Sequence, residues 1–258
     1  MKVVLLAGGM GTRLSEHTHR IPKPMVEIGG YPILWHIMKG YAKFGITDFV
    51  VLLGYKGFLI KQFFADYSLY VDDVTFNLAD GSMQRHSSRC EPWNVTLLET
   101  GLHTMTGGRI KQAAQHLHGE PFMLTYGDGV ANVDVDALLK FHQSHGRAIT
   151  MTSIQPEGRF GLVDADQNDQ VHSFREKPTG DDHWINGGFF VCQPEVLDAI
   201  PDNDPSCIFE QQPLRSLAED GQMMTYRHTG FWQCMDTVRD RQKLVSLWDE
   251  GAAPWKVW

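Results

Sequence analysis

Lys2-Val3-Val4-Leu5-Leu6-Ala7-Gly8-Gly9-Met10-Gly11-Thr12-Arg13-Leu14 places five apolar residues behind one lysine and then three glycines within four positions. A continuous apolar run cut off by glycine is the pattern of a strand buried on both faces of a parallel sheet. Glycines directly after such a strand let backbone N–H groups come close to an anion, and a helix start behind them adds its positive end. Two familiar phosphate-binding patterns do not fit. Leu14 stands where a dinucleotide fingerprint needs its third glycine, and the chain contains no Gly-Lys pair for a Walker loop. Arg13 lies inside the loop instead. Lys23 follows ten residues later between Pro22 and Pro24, which stiffen the chain around it. Fixed cations beside a glycine loop suit a triphosphate.

Outward from this stretch, apolar runs alternate with amphipathic ones. Pro32 to Phe44 has helical spacing with proline at its start and Gly45 past its end, Asp48 to Leu53 reads as a second buried strand, and Phe58 to Tyr67 as a second helix. Phe122 to Thr125 is a further strand, running into Tyr126-Gly127-Asp128-Gly129. Asp134 can cap a helix to about His145, and Ala148 to Ser153 returns as strand. Gly161 to Asp164, Val171 to Arg175, Gly188 to Cys192 and Met223 to His228 read as short strands, and Thr237 to Glu250 as a last helix. Residues 68–93 have mixed polarity, with Arg85 to Arg89 read as an exposed loop. The β-α-β-α alternation predicts an α/β, doubly wound, mostly parallel mixed sheet, with ligands at the carboxyl ends of its strands. One domain is expected over residues 1–258.

The chain has 258 residues, 42% hydrophobic and 21% charged, which is ordinary for a globular protein and excludes disorder, collagen and coiled coil. A net charge of −8 argues against nucleic acid as partner. No apolar run approaches the ~20 residues of a spanning helix. Cys90, Cys192, Cys207 and Cys234 form no C-x-x-C pair and read as reduced thiols, so a cytoplasmic location is expected.

Among the polar residues, Asp128 ends a strand and Asp236 precedes the last helix. Carboxylates on separate loops can converge on one magnesium ion together with phosphate oxygens. Equally, Asp128 can be a turn residue and Asp236 an N-cap. His142 and His145, one helical turn apart, could clip a metal but more simply favour the helix dipole. Trp35, Met38 and Trp248 read as core or interface, and Trp255 and Trp258 as a contact surface.

L-A-G-G-x-G-T-R-L followed by P-K-P-M resembles the sugar nucleotidyltransferases, which join a nucleoside triphosphate to a sugar 1-phosphate, and the resemblance covers the whole chain. Glu91 to Thr96, Met105 to Arg109, Ile185 to Phe190 and Phe231 to Thr237 extend it. Trp93 to Thr96 and Met105 to Arg109 are similar to the cytidylyl branch. The resemblance implies CTP and glucose 1-phosphate as substrates, CDP-glucose and pyrophosphate as products, and Mg2+ held by Asp128 and Asp236. It implies that Leu6, Ala7, Gly8, Gly9, Met10, Gly11, Thr12, Arg13, Lys23 and Gly127 surround the nucleotide. Lys23 and Arg13 would act catalytically. Thr104 and Arg109 match nucleotide contacts of the cytidylyl branch, Thr104 with threonine in place of the usual serine. Glu176, Lys177, Asn186 and Gly187 match the sugar-phosphate pocket. By the same resemblance residues of about 1–130 bind nucleotide and 131–258 the sugar phosphate, the protein forms a homo-oligomer, and its product feeds surface-sugar synthesis. A UTP or dTTP enzyme, a non-catalytic sugar-nucleotide-binding regulator and, weakened by Leu14, a dinucleotide oxidoreductase are the alternatives.

Overall fold

Lys2–Leu6 (β1) lies at the centre of an eight-stranded sheet in a computed structural model that describes residues 1–11, 19–156, 162–165, 170–175 and 183–258. It pairs in parallel with Asp48–Leu53 (β2) on one side, and β2 pairs in parallel with Asn94–Glu99 (β3). On its other side β1 pairs in parallel with Phe122–Tyr126 (β4). Beyond β4 the sheet turns antiparallel: Ile149–Ile154 (β6) follows across Phe190–Cys192 (β8). Ile185–Asn186 (β7) and Met223–His228 (β9) complete it against β6. A small two-stranded sheet, Gly129–Ala131 (β5) with Trp232–Cys234 (β10), sits apart. The α/β class and mixed, mostly parallel sheet expected from the sequence are what the structure has.

The double winding is visible residue by residue. Val3 and Leu5 share a core with Ile33, Leu34 and Met38 of Ile33–Ala42 (α1), while Val4 faces the opposite core with Ile110, Ala113 and Leu117. Successive strand side chains point to opposite faces, so a strand covered on both reads as continuously apolar. All of these side chains are 0–3% exposed. Apart from Ala113, each contributes about 1.5–3 kcal/mol by burial, an upper figure because the unfolded chain is already partly collapsed.

Several boundaries shift, and some elements are new. The second expected helix is Gly57–Ala65 (α2), followed by the separate turn Tyr67–Val71 (α3). Within residues 68–93, Val74–Asn77 and Ser82–Arg85 form a hairpin exposed on both faces, which erases the alternation that signals a strand, and Arg85, expected in the loop of 85–89, belongs to its second strand. Arg85 ends that hairpin and grips the side chain of Asp72. The edge strand β3 and the helix Thr106–Leu117 (α4) were not legible, the latter because Gly107 and Gly108 open it. Those glycines are needed for packing. A Cβ on Gly107 would lie 2.6 Å from Cys207 Sγ, and one on Gly108 2.8 Å from the carbonyl of Asp204.

Asp134 caps Val135–His145 (α5) by accepting from the Ala137 N–H, as expected. Asp236 does not cap the last helix, Val238–Asp249 (α7). Thr237 does, in a reciprocal capping box with Asp240. Of the carboxyl-terminal tryptophans expected at a contact surface, Trp258 is half-buried with its ring edge-on to Trp35, and Trp255 is buried. Trp255 is 1% exposed, stacked on Phe231 and Trp248, with its Nε1–H donated to His36. His142 and His145 are not placed as dipole charges: burial lowers both pKa values, His142 to about 4, and both rings hydrogen-bond the Thr150 hydroxyl. No described helix is long and apolar enough to cross a membrane.

Candidate active site

β1 is flanked by β2, the next strand in the main sheet, and by β4, so the winding direction reverses between β1 and β4. Ligands of open α/β sheets sit outside the carboxyl ends of strands at such a reversal. A cleft of about 380 Å³ lies there, bordered by Leu6 to Gly9 after β1 and Tyr126 to Asp128 after β4. Gly127 closes the seam between the two strands by donating its N–H to the Leu6 carbonyl at 2.9 Å.

Lys23 enters from a 3-10 turn, Lys23–Met25, held extended before it by Pro22 and turned by Pro24. Its ammonium lies 2.6 Å from Asp128 Oδ2 and 2.5 Å from Asp236 Oδ1. The two aspartates are brought together by β5–β10 pairing: Gly129 faces Cys234, and the Met235 N–H bonds the Asp128 carbonyl at 2.8 Å. Burial opposes the charge on Lys23, but Asp128 and Asp236 outweigh it and hold its pKa above the usual lysine value. Lys23 is therefore an ammonium at neutral pH.

The two carboxylates already share one cation in this geometry. They are hard oxygen donors at the mouth of an open cleft, and a magnesium ion commonly takes one or two carboxylates and fills its other positions with phosphate and water. The donor set fits such an ion.

The glycine loop is braced from below. Arg109 of α4 is 4% exposed, and its guanidinium bonds the carbonyls of Gly8, Leu53, Gly101 and Leu102 and the Thr100 hydroxyl at 2.6–3.3 Å. It borders the cleft, but these five acceptors engage its donors. Thr104 also borders the cleft, beside Thr106. The first N–H groups of α4 are spent on the loop before Cys207, with Met105 N–H on the Pro205 carbonyl at 2.7 Å and Gly107 N–H on Cys207 at 2.9 Å.

Of the other expected residues, Gly11 lines the cleft, whereas Met10 is exposed and does not. Asn186 and Gly187 lie at the edge strand β7, joined to the cleft by Asn186 Nδ2 donating to the Tyr126 hydroxyl at 2.9 Å. Thr12, Arg13, Glu176 and Lys177 lie outside the described residues. Tyr126, Thr106 and Glu210 were missed as site residues. The position of Tyr126, at the carboxyl end of a central strand, could have flagged it; nothing in the sequence flags Glu210, an exposed loop residue.

The nucleotidyl transferase family model matches residues 2–238. The chain is 56% identical to the glucose-1-phosphate cytidylyltransferase of Salmonella typhi and 45% identical to a probable glucose-1-phosphate cytidylyltransferase of Bacillus subtilis, each over the full length of both proteins. It is 27% identical to a mannose-1-phosphate guanyltransferase of Neurospora crassa, over 93% of this chain and 62% of that protein. Among solved structures, HddC from Yersinia pseudotuberculosis superposes with a TM-score of 0.69 at 23% identity, covering 96% of this chain and 99% of that one, a likeness of fold. With the family model spanning the reversal-point cleft and full-length relatives at this level, the chain belongs to the nucleotidyl transferase family, in the group formed by the glucose-1-phosphate cytidylyltransferases.

Proposed function

We propose that the protein transfers CMP from CTP to α-D-glucose 1-phosphate, giving CDP-glucose and pyrophosphate. The observation that carries the chemistry is the meeting of Lys23, Asp128 and Asp236 in the lining of the cleft that the glycine loop borders. Full-length identity of 56% and 45% to glucose-1-phosphate cytidylyltransferases supports the choice of substrates.

In this reading a phosphate oxygen of glucose 1-phosphate attacks the α-phosphorus of CTP in line. The new O–P bond forms as the bond to the β-phosphate oxygen breaks, and pyrophosphate leaves with that electron pair. The nucleophile is already an anion at neutral pH, so no general base is needed. The barrier is repulsion and alignment, which cations and positioning lower. Lys23 neutralises charge at the α-phosphate. Arg13 and the amides of Gly8, Gly9 and Gly11 hold the triphosphate, with Thr104 and Arg109 on the nucleotide side. Glu176, Lys177, Asn186 and Gly187 receive the sugar phosphate. Asp128 and Asp236 would hold Mg2+, which supplies charge neutralisation to the phosphates when bound. Residues of about 1–130 then form the nucleotide-binding part and 131–258 the sugar-phosphate-binding part of one domain.

The test is pyrophosphate release with glucose 1-phosphate and Mg2+, run in parallel with CTP, UTP, dTTP, ATP and GTP. Release with CTP alone is expected. Release with UTP or dTTP instead would keep the mechanism and change the base; silence with all five on folded protein would overturn the reaction.

A further inference from the structure

Glu210 lies on the loop before the helix Gln212–Glu219 (α6), and each of its carboxylate oxygens takes a different hydroxyl. Oε2 accepts from Thr106 Oγ1 at 2.6 Å and Oε1 from the Tyr126 hydroxyl at 2.8 Å. Both hydroxyls belong to residues bordering the cleft, Thr106 at the start of α4 and Tyr126 at the end of β4. The Thr106 oxygen accepts from the Phe209 N–H at 2.9 Å, and the Tyr126 oxygen from Asn186 Nδ2 at 2.9 Å. Asn186 Oδ1 in turn accepts from the Gly188 N–H at 2.8 Å.

The direction of this chain is fixed at both ends: the Gly188 backbone N–H can only donate and so holds Asn186 Oδ1, while Glu210 can only accept. An ionised carboxylate only accepts, so both hydroxyl protons turn toward Glu210. With its proton committed, Tyr126 offers Asn186 only a lone pair, and the carboxamide must present Nδ2 to it and Oδ1 to Gly188.

We propose that Glu210 is a positioning residue of the transfer reaction, which through Tyr126, and together with the Gly188 N–H, holds the Asn186 carboxamide in the single orientation that receives the sugar phosphate. It thereby ties the sugar-phosphate edge of the sheet to the nucleotide cleft across 24 residues of chain on one side and 84 on the other. The inference rests on the reading of Asn186 as a sugar-phosphate residue. Glu210→Gln keeps the volume but replaces one acceptor by a donor. One hydroxyl must then reverse, and reversal at Tyr126 asks the Asn186 amide to flip.

The experiment compares Glu210→Gln, Tyr126→Phe, the double variant and Asn186→Ala by steady-state kinetics in glucose 1-phosphate, by direct CTP binding and by melting temperature. Glu210→Gln and Tyr126→Phe are each expected to raise KM for glucose 1-phosphate about tenfold, the scale of one lost charge-assisted hydrogen bond. The CTP dissociation constant should stay within a factor of two. For Glu210→Gln and Tyr126→Phe the melting temperature should stay within about 2 °C, as expected of substitutions that conserve side-chain volume. The double variant should be no worse than either single one, because the three groups act in series. A raised KM in Asn186→Ala but not in Glu210→Gln would overturn the inference and leave the sugar-side reading standing. No change in Asn186→Ala would overturn both. Loss of CTP binding in step with the rise in KM would make Glu210 a general brace of the cleft and overturn it as well.

Discussion

A Cβ on Gly8 would lie 2.3 Å from the Arg109 guanidinium, whereas one on Gly9 would meet nothing within 4 Å. The two neighbours lack side chains for different reasons: Gly8 makes room for protein, and Gly9, without a positive φ, leaves space for a ligand. Gly9→Ala is therefore expected to fold as well as wild type, or to gain up to about 1 kcal/mol from reduced freedom of the unfolded chain. Its KM for CTP should rise at least tenfold; a melt and a kinetic titration check both. Lys23→Ala is expected to lose at least ~100-fold in turnover with a smaller change in KM, the pattern of a lost electrostatic stabiliser. Turnover within threefold of wild type would remove Lys23 from its role. The same substitution leaves Asp128 and Asp236 facing each other without their shared ammonium. Like charges held together favour a cation, so calorimetry without nucleotide should show Mn2+ binding the variant at least ~10-fold more tightly than wild type.

The elements differ in how openly the sequence announced them. β1, β2 and β4 read as continuous apolar runs because both faces are covered, and α5 carried its cap at Asp134 and its stop at Gly146. α4 was hidden by two glycines that disfavour a helix, and tertiary contact with Cys207 and Asp204 overrides that preference. α5 also carries a pH response. His145 Nδ1 accepts from the Arg147 N–H, so its Nε2–H donates to Thr150, and His142 is wedged between Thr150 and Gln193. Both rings are neutral in the folded protein with lowered pKa values, so the unfolded chain binds more protons below pH 6.5. Stability is complete above that pH and declines as acid is added toward pH 4, by up to about 1.4 kcal/mol per pH unit for His142. His142→Gln should flatten the fall of the urea midpoint between pH 6.5 and 4.5; an unchanged slope would place the acid sensitivity elsewhere.

At the scale of the molecule, the carboxyl-terminal end closes the core that positions the site. Trp255 packs with Phe231 and Trp248, and Phe231 precedes β10, the strand that carries Asp236 to Asp128. Trp255→Ala should cost about 3–5 kcal/mol, the range for emptying a buried aromatic site. At about 2–4 °C per kcal/mol this lowers the melting temperature by roughly 10 °C, readable by calorimetry. Divalent-cation affinity should fall only as the fraction unfolded rises. A variant that melts normally would show that the aromatic cluster is dispensable to the fold.

The sequence by itself determined the sheet class and the place of the cleft, because buried strands and glycine breaks are local patterns that tertiary structure only has to honour. It also singled out Lys23, whose flanking prolines are local. The partnership of Lys23 with Asp128 and Asp236 could not be read from spacing, since 105 and 213 residues separate the charges. Only the pairing of β5 with β10 brings the aspartates together, and only the capping box of Thr237 and Asp240 leaves Asp236 turned to the lysine rather than to its helix. Arg109 became a brace, and Glu210 the junction of two hydroxyls, for the same reason: hydrogen-bond direction is set by three-dimensional neighbours, and a linear chain does not contain them.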